Sequence, residues 1–486
     1  MTPIPLQLVA PETIVLVTAL LVLVVDLWLS AARRGLLVAI SVVGLGVAAW
    51  VGLALPDGVG FGGMYVRDGL TRAGGAVAAA AAALGVLVAP EYLRRNRLER
   101  GEYYFLVLVA AAGAMLMAAS RDLLMLFLSL ETLSIPLYVL AAFARTNVRS
   151  QEAGIKYFLL GAFASGFFLY GVALLYGASG TTRLPDVAVA LGQRAPNLAA
   201  AGGVGLLVIG VGFKAAVVPF HTWAPDVYEG APFPAAAFMS VVAKVGAFSA
   251  LVRVFPVTLA ALAAQWTLVL GALAVVTMIV GNLAALVQTS YKRMLAYSSI
   301  AHAGYLLVGV VAASPAAIAA VVTYLAAYAA MGTGAFAVAI ALERGGGEAD
   351  RIEDYAGLAA RAPLLAVATA LFMVSLAGLP PTGGFIAKLG VFLAAVESGR
   401  LGLGLALVGV LTSVISVYYY LRVAYMMFAA PAATAGSNGG AAATVRLHPS
   451  PLVSLALLLA AAAVLQMGVL PGPLVAFTQQ VGALLK

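Results

Sequence analysis

Hydrophobic positions along this chain recur as unbroken runs of about twenty residues, not as strand-like alternation or a narrow amphipathic stripe. A helix of that length crosses about 30 Å of hydrocarbon. Fourteen candidate spans fall at roughly 6–29, 36–55, 69–90, 103–119, 121–143, 152–177, 199–222, 231–255, 266–288, 294–313, 315–342, 362–397, 402–428 and 450–478. The pattern predicts an all-α polytopic membrane protein. No basic residue precedes the first run, Leu6 to Leu29, which reads as a transmembrane helix and not as a signal peptide.

Composition agrees, with 63% hydrophobic and 9% charged residues over 486 positions. Cysteine is absent, which excludes disulfides and thiolate-held iron–sulfur clusters, and three histidines (His221, His302, His448) leave little for haem or zinc. The net charge of +8 raises nucleic acid as a partner, but basic residues of membrane proteins collect in cytoplasmic loops. Alternating loops hold Arg33, Arg34, Arg94, Arg95, Arg97, Arg100, Arg145, Arg149, Lys292, Arg293, Arg344, Arg351, Arg361 and Arg446 in one set. The other set holds Arg67, Arg72, Arg121, Arg183, Arg194, Arg253, Arg400 and Lys486. The richer set is expected on the cytoplasmic side, which places both termini outside. The longest connections, about 343–361 and 429–449, are too short for a soluble catalytic domain, and the second reads as a flexible linker. Within an apolar span, the glycine-rich GGVGLLVIGVG at 202–212 reads as helix packing, not as a dinucleotide fingerprint.

Charge inside the spans is the informative exception. Glu131 is the sole charged residue between Asp122 and Arg145, and three of only six lysines, Lys214, Lys244 and Lys388, fall within apolar runs. A buried arginine stays charged, whereas lysine can gain and lose a proton in a membrane. Each central charge costs roughly 2.5–3.5 kcal/mol on insertion scales, so intramembrane ionisable groups usually mark ion or proton pathways. The competing reading is structural: Glu131 bridges to one lysine, or a lysine snorkels to the interface, as expected of Lys156 near the start of its span. Two of the lysines also sit beside broken backbone. Lys214 precedes four prolines between 219 and 234 in GFKAAVVPFHTWAPDVYEGAPFP, and Lys388 follows Pro380, Pro381, Gly383 and Gly384 in LAGLPPTGGFIAK. Broken helices are tolerated only in protein interior or beside water, and such breaks at matching places in two halves point to an inverted repeat.

These stretches, with LETLSIPLYVL and QTSYKRMLAYSSIAHAGY at 288–305, resemble the antiporter-like membrane subunits of respiratory complex I over nearly the whole chain. Among these the chain is most similar to the N-type subunit of bacterial NADH-quinone oxidoreductase: it ends after the fourteenth span, where the L type carries a long lateral helix, and it has Lys388 where the M type usually has glutamate. The resemblance implies a single transmembrane domain, 1–486, with N-terminal helices over 1–100, inverted five-helix repeats over 101–256 and 257–430, and a last helix over 449–486. It further implies discontinuous helices 7 and 12. On the resemblance, Glu131 is partner to Lys214, Lys244 carries protons along the midplane, and Lys388 stands toward the exit. His302 is either a proton relay or a hydrogen-bonded core histidine. An interfacial or turn-stabilising role is expected for His221, none for His448, and proton recruitment or helix capping for Asp226 and Glu229. NADH, FMN, iron–sulfur clusters and quinone are expected on partner subunits, with no cofactor or metal on this chain. The implied function is proton translocation in the bacterial inner membrane, driven by electron transfer in those partners, with neighbouring membrane subunits and lipid as contacts. Three alternatives remain at this point: a cation/proton antiporter subunit, a non-transporting scaffold, and a haem-bearing electron carrier.

Overall fold

A computed structural model describes residues 6–193, 198–343, 349–429 and 449–482. The 429–449 linker and His448 lie almost wholly outside these residues. In the N-terminal part the helices are α1 (Ala10–Asp26), α2 (Gly35–Ala54), α3 (Gly69–Arg95), α4 (Gly101–Ala119), α5 (Leu123–Ala141) and α6 (Val148–Ser179). Next come α7 (Leu184–Gln193), α8 (Leu198–Ala215), α9 (Trp223–Gly230), α10 (Phe233–Val252), α11 (Ala263–Leu286), α12 (Tyr291–Ala312) and α13 (Pro315–Leu342). The remainder are α14 (Leu358–Arg361), α15 (Pro363–Ala377), α16 (Gly383–Glu397), α17 (Arg400–Phe428), α18 (Pro451–Val469) and α19 (Gly472–Gly482).

Twelve of the fourteen expected spans are helices long and apolar enough to cross a membrane. The first, α1, has 17 residues. The twelfth is two helices of 15 residues each, α15 and α16, parted at 378–382. The seventh divides as well: α8 stops at Ala215, and the chain crosses 216–222 before α9. Asp226 and Glu229, which follow the break, therefore ride on α9. The last span also differs from its expectation, because Pro471 separates α18 from α19. Two features had no counterpart in the sequence reading. One is the amphipathic α7; the other is an antiparallel hairpin pairing Gly58–Gly60 with Tyr65–Arg67.

Burial sorts the helices. The apolar windows of α10, α12 and α13 are almost wholly enclosed, while α2, α6, α17 and α18 leave most of theirs exposed. Lipid is as apolar as leucine, so helices are held together here by close approach of small residues and by hydrogen bonds. Gly210, in the glycine-rich stretch, lets α8 lie against α6, since a Cβ there would come within 3.0 Å of the Phe168 ring. A buried ion pair closes the end of the bundle nearest the hairpin: Arg253 Nη1 donates to Asp68 Oδ2 at 2.8 Å, and its Nε donates to the Ala118 carbonyl at 2.9 Å. That guanidinium ties the start of α3 and the end of α4 to the end of α10.

At Gly113 on α4 a Cβ would stand 2.7 Å from the Leu133 Cα of α5, backbone that cannot swing aside. Gly113→Ala is expected to destabilise the chain by about 1–3 kcal/mol, read as an earlier midpoint when the detergent-solubilised protein is titrated with a denaturing detergent. An unchanged midpoint would show that α4 and α5 do not pack this closely.

Candidate functional site: a buried chain of lysines, histidine and tyrosines

The enclosed helices are the ones that carry ionisable groups. Lys244 projects from α10, His302 from α12, and Tyr324 and Tyr328 from α13, all buried. Lys214 and Lys388 enter the same interior from the two broken helices, with 2% and 4% of their surface exposed.

Each break is stitched by side chains, as a polar backbone in a membrane requires. Around the first, the Val218 amide donates to Thr277 Oγ1 at 3.1 Å, and Trp223 Nε1 donates to the Phe213 carbonyl at 2.9 Å. Trp223 stacks on Tyr157 with centroids 4.3 Å apart and planes 9° from parallel. Lys214 Nζ donates to Tyr157 Oη at 3.3 Å and lies 5.0 Å from that ring and 5.3 Å from Tyr138's. At the second break, Lys388 Nζ reaches back to the Ala377 carbonyl at 2.8 Å and to Ser413 Oγ at 2.7 Å. A cation thereby meets the negative end of α15 and satisfies a carbonyl freed by the break. The Gly384 amide donates to Ser375 Oγ at 3.2 Å.

Lys244 donates to Ser299 Oγ at 2.5 Å, and the Ser299 hydroxyl lies 3.3 Å from Tyr228 Oη. Its ammonium stands 5.5 Å from the centre of the Tyr328 ring, whose centroid is 5.1 Å from that of His302. His302 is bonded at both nitrogens, to Tyr324 Oη at 2.6 Å and Tyr420 Oη at 3.2 Å. The far side of the imidazole meets Tyr305 edge-on at 5.7 Å, and Lys388 Nζ lies 4.9 Å from that ring. His302 thus sits between two lysines, separated from each by one tyrosine ring. Both alternatives raised for this histidine are visible at once: it is hydrogen-bonded in the core, and it stands in the line of titratable groups.

Among the described residues, none of these three lysines has a carboxylate within 4.0 Å; hydroxyls, a carbonyl and aromatic faces surround them. The structure does not bring Glu131 into ion-pair contact with Lys214. Glu131 is half-buried on α5 and accepts from Ser165 Oγ of α6. Tyr138, two turns along the same helix, presents its ring to the lysine.

At the membrane edge the expectations separate. Lys156 is 42% exposed and pairs with Glu152 at 2.7 Å and Asp226 at 2.8 Å, as a snorkelling side chain does. Asp226 and Glu229 also pair with Arg293, at 2.9 and 2.7 Å, so ion pairs and not capping occupy them. His221 lies in the first break, half-buried, and its carbonyl accepts from the Ala224 amide at 2.9 Å to begin α9. Lys292, assigned by sequence to a loop, is buried in the first turn of α12, where it donates to the Glu229 and Ala231 carbonyls at 3.1 and 3.0 Å. Sequence reading missed the tyrosines and Ser299 and Ser413, because an aromatic or hydroxyl residue within an apolar run looks like ordinary helix packing. Among the described residues no group of three or more His, Asp or Glu side chains could hold a metal ion.

Residues 120–416 match the family described as NADH:quinone oxidoreductase/Mrp antiporter, TM. NADH-quinone oxidoreductase subunit N of Trichlorobacter lovleyi is 42% identical over 98% of this chain and 96% of its own length. Subunit N 1 of Herpetosiphon aurantiacus is 47% identical over 85% of each chain. A chain of respiratory complex I from Thermus thermophilus superposes with a TM-score of 0.80 at 35% identity, covering 96% of this chain and 98% of that one.

Gly378, at the end of α15, has a φ of +82° and would place a Cβ 2.6 Å from Lys388 Cδ. Gly378→Ala is therefore expected to cost about 1–3 kcal/mol through the strained backbone and to displace the lysine. Thermal unfolding of the purified chain checks the first effect; a variant as stable as wild type would contradict it.

Proposed function

The chain belongs to the NADH:quinone oxidoreductase/Mrp antiporter family, among its NADH-quinone oxidoreductase N subunits, and from that premise we propose that it moves protons along the buried line Lys214, Lys244, His302, Lys388. The observation that carries this reading is the neutral surroundings of the three lysines. A fixed carboxylate at each would hold the proton and make the site structural. Hydroxyl oxygens instead accept from an ammonium and can donate to the amine it leaves behind, so both protonation states keep a partner.

Glu131 then works at a distance. When its carboxylate approaches Lys214 it favours the ammonium; when it withdraws toward Ser165, the proton is released along the chain toward Lys244. From Lys244 the route continues past Tyr328 to His302 and past Tyr305 to Lys388, with water supplying the links that side chains do not span. Moving one charge against 100 mV costs roughly 2.3 kcal/mol, which this chain cannot supply. The drive comes from electron transfer on partner subunits, where NADH, FMN, iron–sulfur clusters and quinone reside. The same reading groups 101–256 and 257–430 as inverted repeats containing the broken seventh and twelfth helices, flanked by 1–100 and 449–486. It also sets the protein in the bacterial inner membrane with both termini outside.

Lys244→Met removes the central titratable group while keeping an apolar side chain of similar length. In inverted membrane vesicles with normally assembled complex, proton uptake is expected to fall on the order of 10²-fold, the contribution typical of a proton-transfer group, with or without sodium. Full uptake at unchanged NADH oxidation would leave Lys244 a structural residue and remove the proposal. A loss restored by sodium would point to cation/proton exchange.

A further inference from the structure

Asn282 is the only carboxamide between Gln265 and Gln288 in the apolar run of α11, and it is fully buried. An amide so placed is costly unless its donors and its acceptor are matched. Here they are matched. Nδ2 donates to the Met278 carbonyl one turn back at 2.7 Å and to Tyr305 Oη of α12 at 2.9 Å. Oδ1 accepts from Tyr419 Oη of α17 at 3.0 Å. One side chain thus joins three helices beside the second broken span.

Met278 fixes which way round this amide sits. A carbonyl can only accept, so the NH2 group faces Met278, and the same group then faces Tyr305. The Tyr305 hydroxyl is therefore an acceptor from Asn282, and its own proton has to point elsewhere. The other hydroxyls that interact with it are those of Thr412 and Ser413 on α17. Ser413 is also the hydroxyl that accepts from Lys388 Nζ at 2.7 Å, and the Tyr305 ring lies 4.9 Å from that ammonium. The polarity of the group is set from its far end: Asn282 donates to Tyr305, and Tyr305 donates toward the α17 hydroxyls. The Ser413 hydrogen is left to turn to the lysine nitrogen. Were the Tyr305 proton directed at residue 282, Tyr305 Oη would instead accept that hydrogen and draw it away from the amine.

We propose that Asn282 is a positioning residue of the proton pathway, one that turns the Tyr305 hydroxyl toward Ser413 so that Lys388 meets a donor once its proton has left. The inference rests on the pathway proposed above and assigns it a residue outside the line of titratable groups. An amide neither takes up nor releases a proton near neutral pH, so Asn282 orients a relay and is not a member of it.

The test is proton uptake per NADH oxidised, in inverted membrane vesicles with normally assembled complex, for Asn282→Leu, Tyr305→Phe and the two together. Asn282→Leu keeps the branching of the side chain and is expected to lower uptake about fivefold, the worth of one neutral hydrogen bond. Tyr305→Phe should lower it by at least as much. An amide that acts through the Tyr305 hydroxyl has nothing left to orient in the double variant, which should therefore match Tyr305→Phe alone; an amide that only packs helices would add its own loss. Asn282→Thr serves if the leucine variant does not assemble. Its hydroxyl is expected to bond the carbonyl one turn back, as Thr267 and Thr277 do on the same helix, leaving Tyr305 without its donor and giving the same loss. The proposal is overturned if an assembled Asn282 variant keeps wild-type uptake, or if the loss in the double variant is the product of the two single losses. Lys244→Met, measured alongside, separates this role from the pathway: if it loses uptake while the Asn282 variants keep theirs, only the positioning role falls. If Lys244→Met keeps full uptake, the pathway falls and the positioning role falls with it.

Discussion

Hydrocarbon offers no hydrogen-bond partner, and every polar feature of this protein is arranged around that deficit. A broken helix exposes amides and carbonyls, and a lysine brings three donors. Neither can face lipid, so both are turned into the same interior, where each helps satisfy the other. Lys388 is the clearest instance: its ammonium binds the carbonyl that the break in the twelfth span sets free. The consequence is a polar core inside an apolar shell, the reverse of a soluble domain. The helices α10, α12 and α13, which no lipid touches over most of their length, carry the groups that could not lie anywhere else.

Within that core the surroundings of each ionisable group decide what it can do. Inside the bundle Arg253 is held by the opposite charge of Asp68, and at the membrane edge Arg293 is held by Asp226 and Glu229. Around Lys214, Lys244 and Lys388 the neighbours are hydroxyls, a carbonyl and rings. That contrast within one molecule is what the proposed proton pathway rests on. It also gives the tyrosines a role. Tyr328 and Tyr305 each stand between a lysine and His302, near enough for the ring to favour the lysine's ammonium without adding a charge.

How far the site was legible follows from the same physics. Lysine is rare in apolar runs, so Lys214, Lys244 and Lys388 announced themselves, and paired prolines and glycines betrayed both breaks. The spans were legible wherever a run was long and uniform. They were misjudged where the signal is local: the stop at Pro471, the hairpin of Gly58–Gly60 with Tyr65–Arg67, and the position of Asp226 and Glu229 on α9. Lys292 looked like a loop residue because it lies at the start of its helix, and only packing of the α9 end over it reveals its burial. The tyrosine spacers could not be read at all, since their meaning depends on which helices α12 and α13 meet.

Glu131, the acid isolated in an apolar run, is the group on which the account turns, because it stands near Lys214 without touching it. The most direct measurement is proton pumping together with quinone reductase activity in membranes carrying Lys214→Arg, after assembly of the complex is confirmed. Arginine keeps the charge and cannot release its proton. Collapse of pumping or of coupled turnover, with assembly intact, is the predicted result. Persistence of both activities would contradict it, and would leave Glu131 and Lys214 holding helices together and nothing more.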